Sequence, residues 1–107
     1  MSQSTKLSVL FAASFFTLST AWAAPVAQKP EAVYDKSCKI CHDAGIAGAP
    51  KKHAVAEWES RLKLGMDALV ETVKKGKGAM PPKGMCMDCT DEDYKAVITF
   101  MSSPKQP

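Results

Sequence analysis

Cys38-Lys39-Ile40-Cys41-His42 is the stretch that decides how the rest of the chain reads. Two cysteines three apart, with a histidine directly after the second, match the Cys-x-x-Cys-His pattern for covalent attachment of haem. The spacing follows from the chemistry. Each thiol adds across one vinyl group of the macrocycle as a thioether, so the backbone between them must curl into a helical turn that puts i and i+3 on one side. His42 then lies beneath the ring, where an imidazole nitrogen binds iron. A bare Cys-x-x-Cys is shared by zinc sites, disulfide chemistry and haem attachment, and the adjacent histidine favours haem.

Upstream of the motif, Lys6 precedes an apolar run from Leu7 to Leu18, broken only by Ser8, Ser14 and Thr17. Ala21-Trp22-Ala23 follows as a small-x-small cleavage signal. Residues 1–23 read as a secretory signal peptide, cut after Ala23 because a cut after Ala24 would leave Pro25 at the next position. The run is short for a membrane anchor, which needs about 20 residues. The expected location is the periplasm. Residues 24–30 read as a flexible leader and 31–107 as the domain.

So small a domain commonly needs a staple, a metal or a cofactor. All four cysteines lie in it, and export permits a disulfide. Processing removes only Lys6 from a chain of net charge +3, and two haem propionates would bring the total close to zero. No run of Lys or Arg indicates nucleic acid or a membrane surface.

Pro30-Glu31 opens a first helix, with an acid near its positive end. Val33, Tyr34, Ser37, Cys38 and Cys41 then share one stripe. Asp43 to Pro50 contains two glycines and a proline and forms a loop that can approach a flat ring closely. A second helix is expected over Ala54–Leu62, with Val55, Trp58 and Leu62 inward, and Gly65 ends it. A third runs from Met66 to about Lys75, where Met66, Leu69, Val70 and Val73 follow i, i+3, i+4, i+7. Lys74 and Lys75 suit its negative end and Gly76 its C-terminal cap. Lys77 to Cys89 is a Gly- and Pro-rich loop. Thr90 caps the last helix, Asp91, Glu92 and Asp93 fill its first turn, and Tyr94, Val97, Ile98 and Met101 form its inner face. No stretch reads as a strand, so the fold class is all-α.

The second iron ligand is sought among the methionines. Met66 and Met101 lie on apolar helical stripes and read as core. Met80 sits in Gly76-Lys77-Gly78-Ala79-Met80-Pro81-Pro82, where proline holds the preceding residue extended, and it is the expected sixth ligand, with Met85 next in line. A thioether there closes the coordination shell and favours reduced iron. His53 reads as an exposed loop residue. Cys86-Met87-Asp88-Cys89 is followed by Thr90 rather than histidine, and three readings compete for it. Zinc would need Cys38 and Cys41, which haem attachment consumes. A catalytic thiol pair would need a strand before its helix. A structural disulfide is the reading favoured.

Taken together, Cys38-x-x-Cys41-His42, a proline in the next loop, a methionine loop and a closing amphipathic helix resemble class I cytochrome c. Trp58 and Arg61, Gly76-Lys77-Gly78-Ala79-Met80-Pro81-Pro82-Lys83-Gly84, and Cys86-x-x-Cys89 before an acidic helix start resemble its bacterial cytochrome c5 subgroup. The resemblance covers about residues 31–102. It implies about four helices packed around one covalently bound haem c, with the first and last helices crossing. It implies His42 and Met80 as axial ligands and Cys86–Cys89 as a disulfide. It also implies that the Pro50 carbonyl orients His42 and that Trp58 and Arg61 bond a haem propionate.

The function expected is monohaem electron transfer between respiratory-chain partners, without enzymatic chemistry. Partners would be periplasmic or membrane-bound redox proteins, a reductase or oxidase. No nucleic acid or small-molecule substrate is expected, and membrane contact only through partner complexes. Lys74, Lys75, Lys77 and Lys83 bracket the Met80 loop and could steer an acidic partner, although Asp88, Asp91, Glu92 and Asp93 lie nearby. The alternative is a haem protein whose methionine leaves so that peroxide, nitric oxide or oxygen can bind.

Overall fold

Helix α1 is one continuous helix in three parts: α-helical Pro30–Val33, π-helical Tyr34–Cys38 and α-helical Lys39–His42. The computed structural model describes residues 12–13 and 27–107. The expected signal peptide, apart from Ala12 and Ala13, and residues 24–26 of the leader lie outside the described residues. Helix α2 is Val55–Leu62, α3 is Met66–Lys75 and α4 is Asp91–Ser102. Short 3₁₀ turns cover Ile46–Gly48 and Pro82–Met85. No strand occurs among the described residues.

The π stretch corrects the single α stripe expected along α1. A π turn holds more residues than an α turn, so Cys38, Cys41 and His42 are rotated relative to Val33 and Tyr34. Val33 and Tyr34 are fully buried, whereas Cys38 and Cys41 are half-buried. The upstream pair fills the core and the cysteines stay at its edge.

α4 is the centre of the packing. α1 and α3 both lie against it, and its Tyr94, Val97, Ile98 and Met101 are all buried. α3 supplies Leu69 and Val70, and Tyr34 meets Phe100 edge-on at 5.7 Å between centroids. Of the three residues expected inward on α2, only Trp58 is buried. Val55 and Leu62 are 45% and 37% exposed, because this two-turn helix is anchored through the one indole.

The start of α4 is fixed by a reciprocal cap. The Asp93 N–H donates to Thr90 Oγ1 at 3.2 Å and the Thr90 N–H to Asp93 Oδ2 at 2.8 Å. Such caps are worth about 0.5–2 kcal/mol. Asp93 is buried, and the Gln28 N–H donates to its Oδ1 at 2.7 Å. The Thr90 amide first, and then Gln28, hold its carboxyl below the usual carboxylate range despite burial. Lys36 bridges Gln28 to Asp88. The expected leader therefore does not hang free where it is described: Gln28 is bonded to an element 65 residues away.

His53 also departs from expectation. It is half-buried rather than an exposed loop residue. Its N–H donates to the Met101 carbonyl at 2.6 Å, its Nδ1 to the Ser103 carbonyl at 2.8 Å, and its ring meets Phe100 edge-on at 5.1 Å. Carbonyls at a helix C-terminus lack intrahelical donors, and His53 supplies two of them. This ties the loop after α1 to the end of α4.

Candidate functional site

Cys38, Cys41 and His42 occupy the last turns of α1. Neither thiol is in a disulfide, and burial pushes the Cys38 thiol up to about 11. His42 is 8% exposed. Its Nδ1 lies 2.7 Å from the Pro50 carbonyl. A carbonyl can only accept, so Nδ1 carries the proton and Nε2 is left with the lone pair. The His42 carbonyl accepts the Lys52 N–H at 2.8 Å. Backbone and side chain of His42 are thus both held by residues 50–52. The neighbouring Tyr34 hydroxyl donates to Asp43 Oδ1 at 3.1 Å, and burial, followed by this bond, raises its pKa to about 12.

Trp58 lies against the imidazole, with centroids 5.8 Å apart and planes 23° apart. Its Nε1–H donates to the Lys51 carbonyl at 2.8 Å. The indole N–H is thereby tied to the loop that carries Pro50, while the ring borders the larger cavity. Arg61 donates through Nη1 to the Glu57 carbonyl and lies half-buried on the same helix.

Met80 is presented by a tight turn. Lys77 and Met80 exchange two backbone hydrogen bonds, of 3.0 and 2.9 Å, across Gly78-Ala79. Gly76 precedes it at φ 81°, and a Cβ there would meet the Met80 oxygen at 2.7 Å. Downstream, Lys83, Gly84 and Met85 all have positive φ. Cys86 and Cys89 are bonded to each other. Cys86 is buried, and its carbonyl accepts the Tyr94 hydroxyl at 2.9 Å. The methionine loop is therefore held to α3 at one end and to α4 at the other.

Two adjoining cavities of about 200 and 360 Å³ share Cys41, His42, Val73, Met80, Ile98 and Met101 in their walls. The smaller reaches Cys38, Cys86 and Tyr94, and the larger reaches Pro50, Trp58, Arg61 and Leu69. Met85 borders only the smaller and is 70% exposed. An imidazole lone pair, a thioether, two thiols at helical spacing and apolar walls make a donor set suited to haem. The Cys86–Cys89 pair does not offer a second attachment site of this kind: Thr90 stands where a histidine is needed, and the sulfurs are joined. Pooling all four cysteines on zinc fails as well. The ligand atoms within mutual reach among the described residues are those of Cys86, Asp88 and Cys89, without Cys38 or Cys41.

Lys51 and Glu57 adjoin the site without lining its cavities, Lys51 through the Trp58 indole and Glu57 through the Lys51 N–H, and were not singled out from sequence. Their only sequence signal was an acid in the first turn of α2. Among the described residues, no helix is long and apolar enough to cross a membrane.

Residues 25–101 match the family described as cytochrome c oxidase, cbb3-type, subunit III. Cytochrome c5 of Azotobacter vinelandii is 42% identical over 78 residues, which is 71% of this chain and 94% of the relative. A solved mono-haem ferrocytochrome c from Shewanella putrefaciens is 62% identical with a TM-score of 0.65, covering 73% of this chain and 96% of that one. A chain from a crystal structure of an electron transfer complex of nitrite reductase with cytochrome c is 38% identical with a TM-score of 0.64, covering 71% and 94%.

Proposed function

This chain belongs to the class I c-type cytochromes, in the cytochrome c5 group, with one covalently bound haem c and a role in electron transfer; from that premise we propose a periplasmic carrier, not an enzyme, whose haem is attached at Cys38 and Cys41 and ligated by His42 and Met80. The observation that carries the proposal is the pair of fixed ligands. His42 is locked by Pro50 with its Nε2 lone pair free, and it borders the same cavities as Met80.

When bound, the haem supplies a one-electron couple between ferric and ferrous iron. The chain's residues hold that couple closed. A thioether from Met80 raises the potential relative to a second imidazole. Val73, Ile98 and Met101 keep the surroundings apolar. The Cys86–Cys89 clasp holds the Met80 loop against α4. Arg61, bordering the larger cavity, is the residue proposed to bond a propionate. Lys6, the apolar run and Ala21-Trp22-Ala23 support export to the periplasm.

A redox protein with an acidic docking face is the partner proposed. A structural relative in a complex with nitrite reductase supports this class of partner. Lys77 borders the larger cavity and Lys83 the smaller, and both are exposed, without an ion pair among the described residues. Lys74 is not available for steering, since it pairs with Glu71 at 3.1 Å and Asp91 at 3.3 Å. The test is stopped-flow electron exchange with an acidic redox partner. Lys77→Glu together with Lys83→Glu should lower the second-order rate roughly ten-fold at low salt and little at high salt. A rate independent of both charge and salt would remove the docking assignment.

A further inference from the structure

One peptide group joins the axial histidine to a carboxylate. The Pro50–Lys51 peptide accepts the His42 Nδ1–H at its carbonyl, 2.7 Å away, and donates its N–H to Glu57 Oε2, 2.8 Å away. Glu57 and Trp58 are consecutive on α2. They hold Lys51 from both sides, the carboxylate at its N–H and the indole at its carbonyl.

We propose that Glu57 is a positioning residue that tunes the reduction potential by polarising the Pro50–Lys51 peptide against His42. The inference rests on His42 being the iron ligand.

The direction follows from charge. A hydrogen bond to a carboxylate is stronger than one to a neutral acceptor. Drawing the Lys51 N–H toward Glu57 shifts electron density to the Pro50 oxygen, and linked hydrogen bonds strengthen one another. A stronger bond at Nδ1–H makes the imidazole more basic at Nε2. A more basic ligand stabilises ferric over ferrous iron and lowers the potential. The Lys51 ammonium sits 3.8 Å from Glu57 Oε1, with both side chains about half exposed, so it offsets the carboxylate only weakly.

The decisive experiment uses holoprotein carrying Glu57→Gln, which keeps an acceptor oxygen but removes the charge. The expected result is an approximately three-fold shift of the redox equilibrium toward reduced protein, about 30 mV at 59 mV per tenfold for one electron. The NMR resonance of the His42 Nδ1–H moves upfield at the same time. Asp43→Asn is the control. Asp43 adjoins His42 and bonds Tyr34, so losing its charge acts through space and leaves that resonance in place. If Glu57→Gln does not hold its fold, Glu57→Asp serves instead, because the shorter side chain draws the carboxylate back from the Lys51 N–H, with the same expected signs: a higher potential and an upfield shift. An unmoved resonance in the folded variant, or an equal movement in Asp43→Asn, overturns the proposal while the ligand assignment stands. A wild-type protein without hyperfine-shifted His42 signals overturns the ligand assignment and the proposal with it.

Discussion

Met80→Ala should leave the haem covalently attached and lower the reduction potential by on the order of 0.2 V, a fraction of the roughly 0.8 V range that axial ligation spans. The thioether stabilises ferrous iron, and its loss leaves water or an added ligand to fill the position. The weak far-red absorption of sulfur-ligated ferric haem should vanish, and cyanide should bind readily at neutral pH. Met85→Ala is the paired control and should change none of these. Met85 is 70% exposed and borders only the smaller cavity, whereas Met80 borders both. Optical titration and voltammetry of the two variants check this. If Met85→Ala lost the absorption and Met80→Ala kept it, the ligand would be reassigned.

Gly76→Ala should be the most damaging single methyl in the chain. Gly76 has φ 81° and ψ 162°, a region that residues with a side chain avoid at a cost of about 1–3 kcal/mol. The added carbon would also meet the Met80 oxygen at 2.7 Å, the Pro82 nitrogen at 2.9 Å and the Pro81 carbonyl carbon at 3.1 Å. All three are backbone atoms, so no rotamer change relieves the contact. A loss of about 2–4 kcal/mol is expected, and with it a fall in Tm on the order of 10–20 °C for a domain of this size. The methionine–iron absorption should be lost on heating before the helical circular dichroism. Gly78→Ala provides the contrast. Gly78 has φ 57° with open space around it, so it should cost only about 1–2 kcal/mol. Equal effects at both glycines would show that the close approach at Gly76 does not govern the loop.

Local chemistry was legible in the sequence where one element carried the whole signal. The apolar period of Met66, Leu69, Val70 and Val73 marked α3, which runs Met66–Lys75. Thr90 and the acids after it marked the start of α4 at Asp91. Cys38, Cys41 and His42 stand out because the proposed haem attachment imposes its spacing on consecutive residues. What escaped depends on partners far along the chain. Gln28 is held by Asp93 and His53 by Ser103, 65 and 50 residues away, and no local pattern encodes such pairs. The π turn over Tyr34–Cys38 is not visible in an apolar stripe. Trp58 was marked as part of the site, but the direction of its N–H was set by the path of residues 50–52. Glu57 passed unnoticed for the same reason: a carboxylate in the first turn of a helix ordinarily serves that helix, and here it serves Lys51.

The central claim is that the haem sits on Cys38 and Cys41 while Cys86 and Cys89 are bonded to each other. Mass spectrometry of unreduced holoprotein cleaved after glutamates tests it directly. Glu31 and Glu57 bracket the first cysteine pair, and Glu71 and Glu92 bracket the second. The expected result is the haem mass on residues 32–57, with residues 72–92 haem-free and lighter by two hydrogens than the dithiol form. Haem on the fragment containing Cys86 and Cys89, or no haem adduct on either, would contradict it.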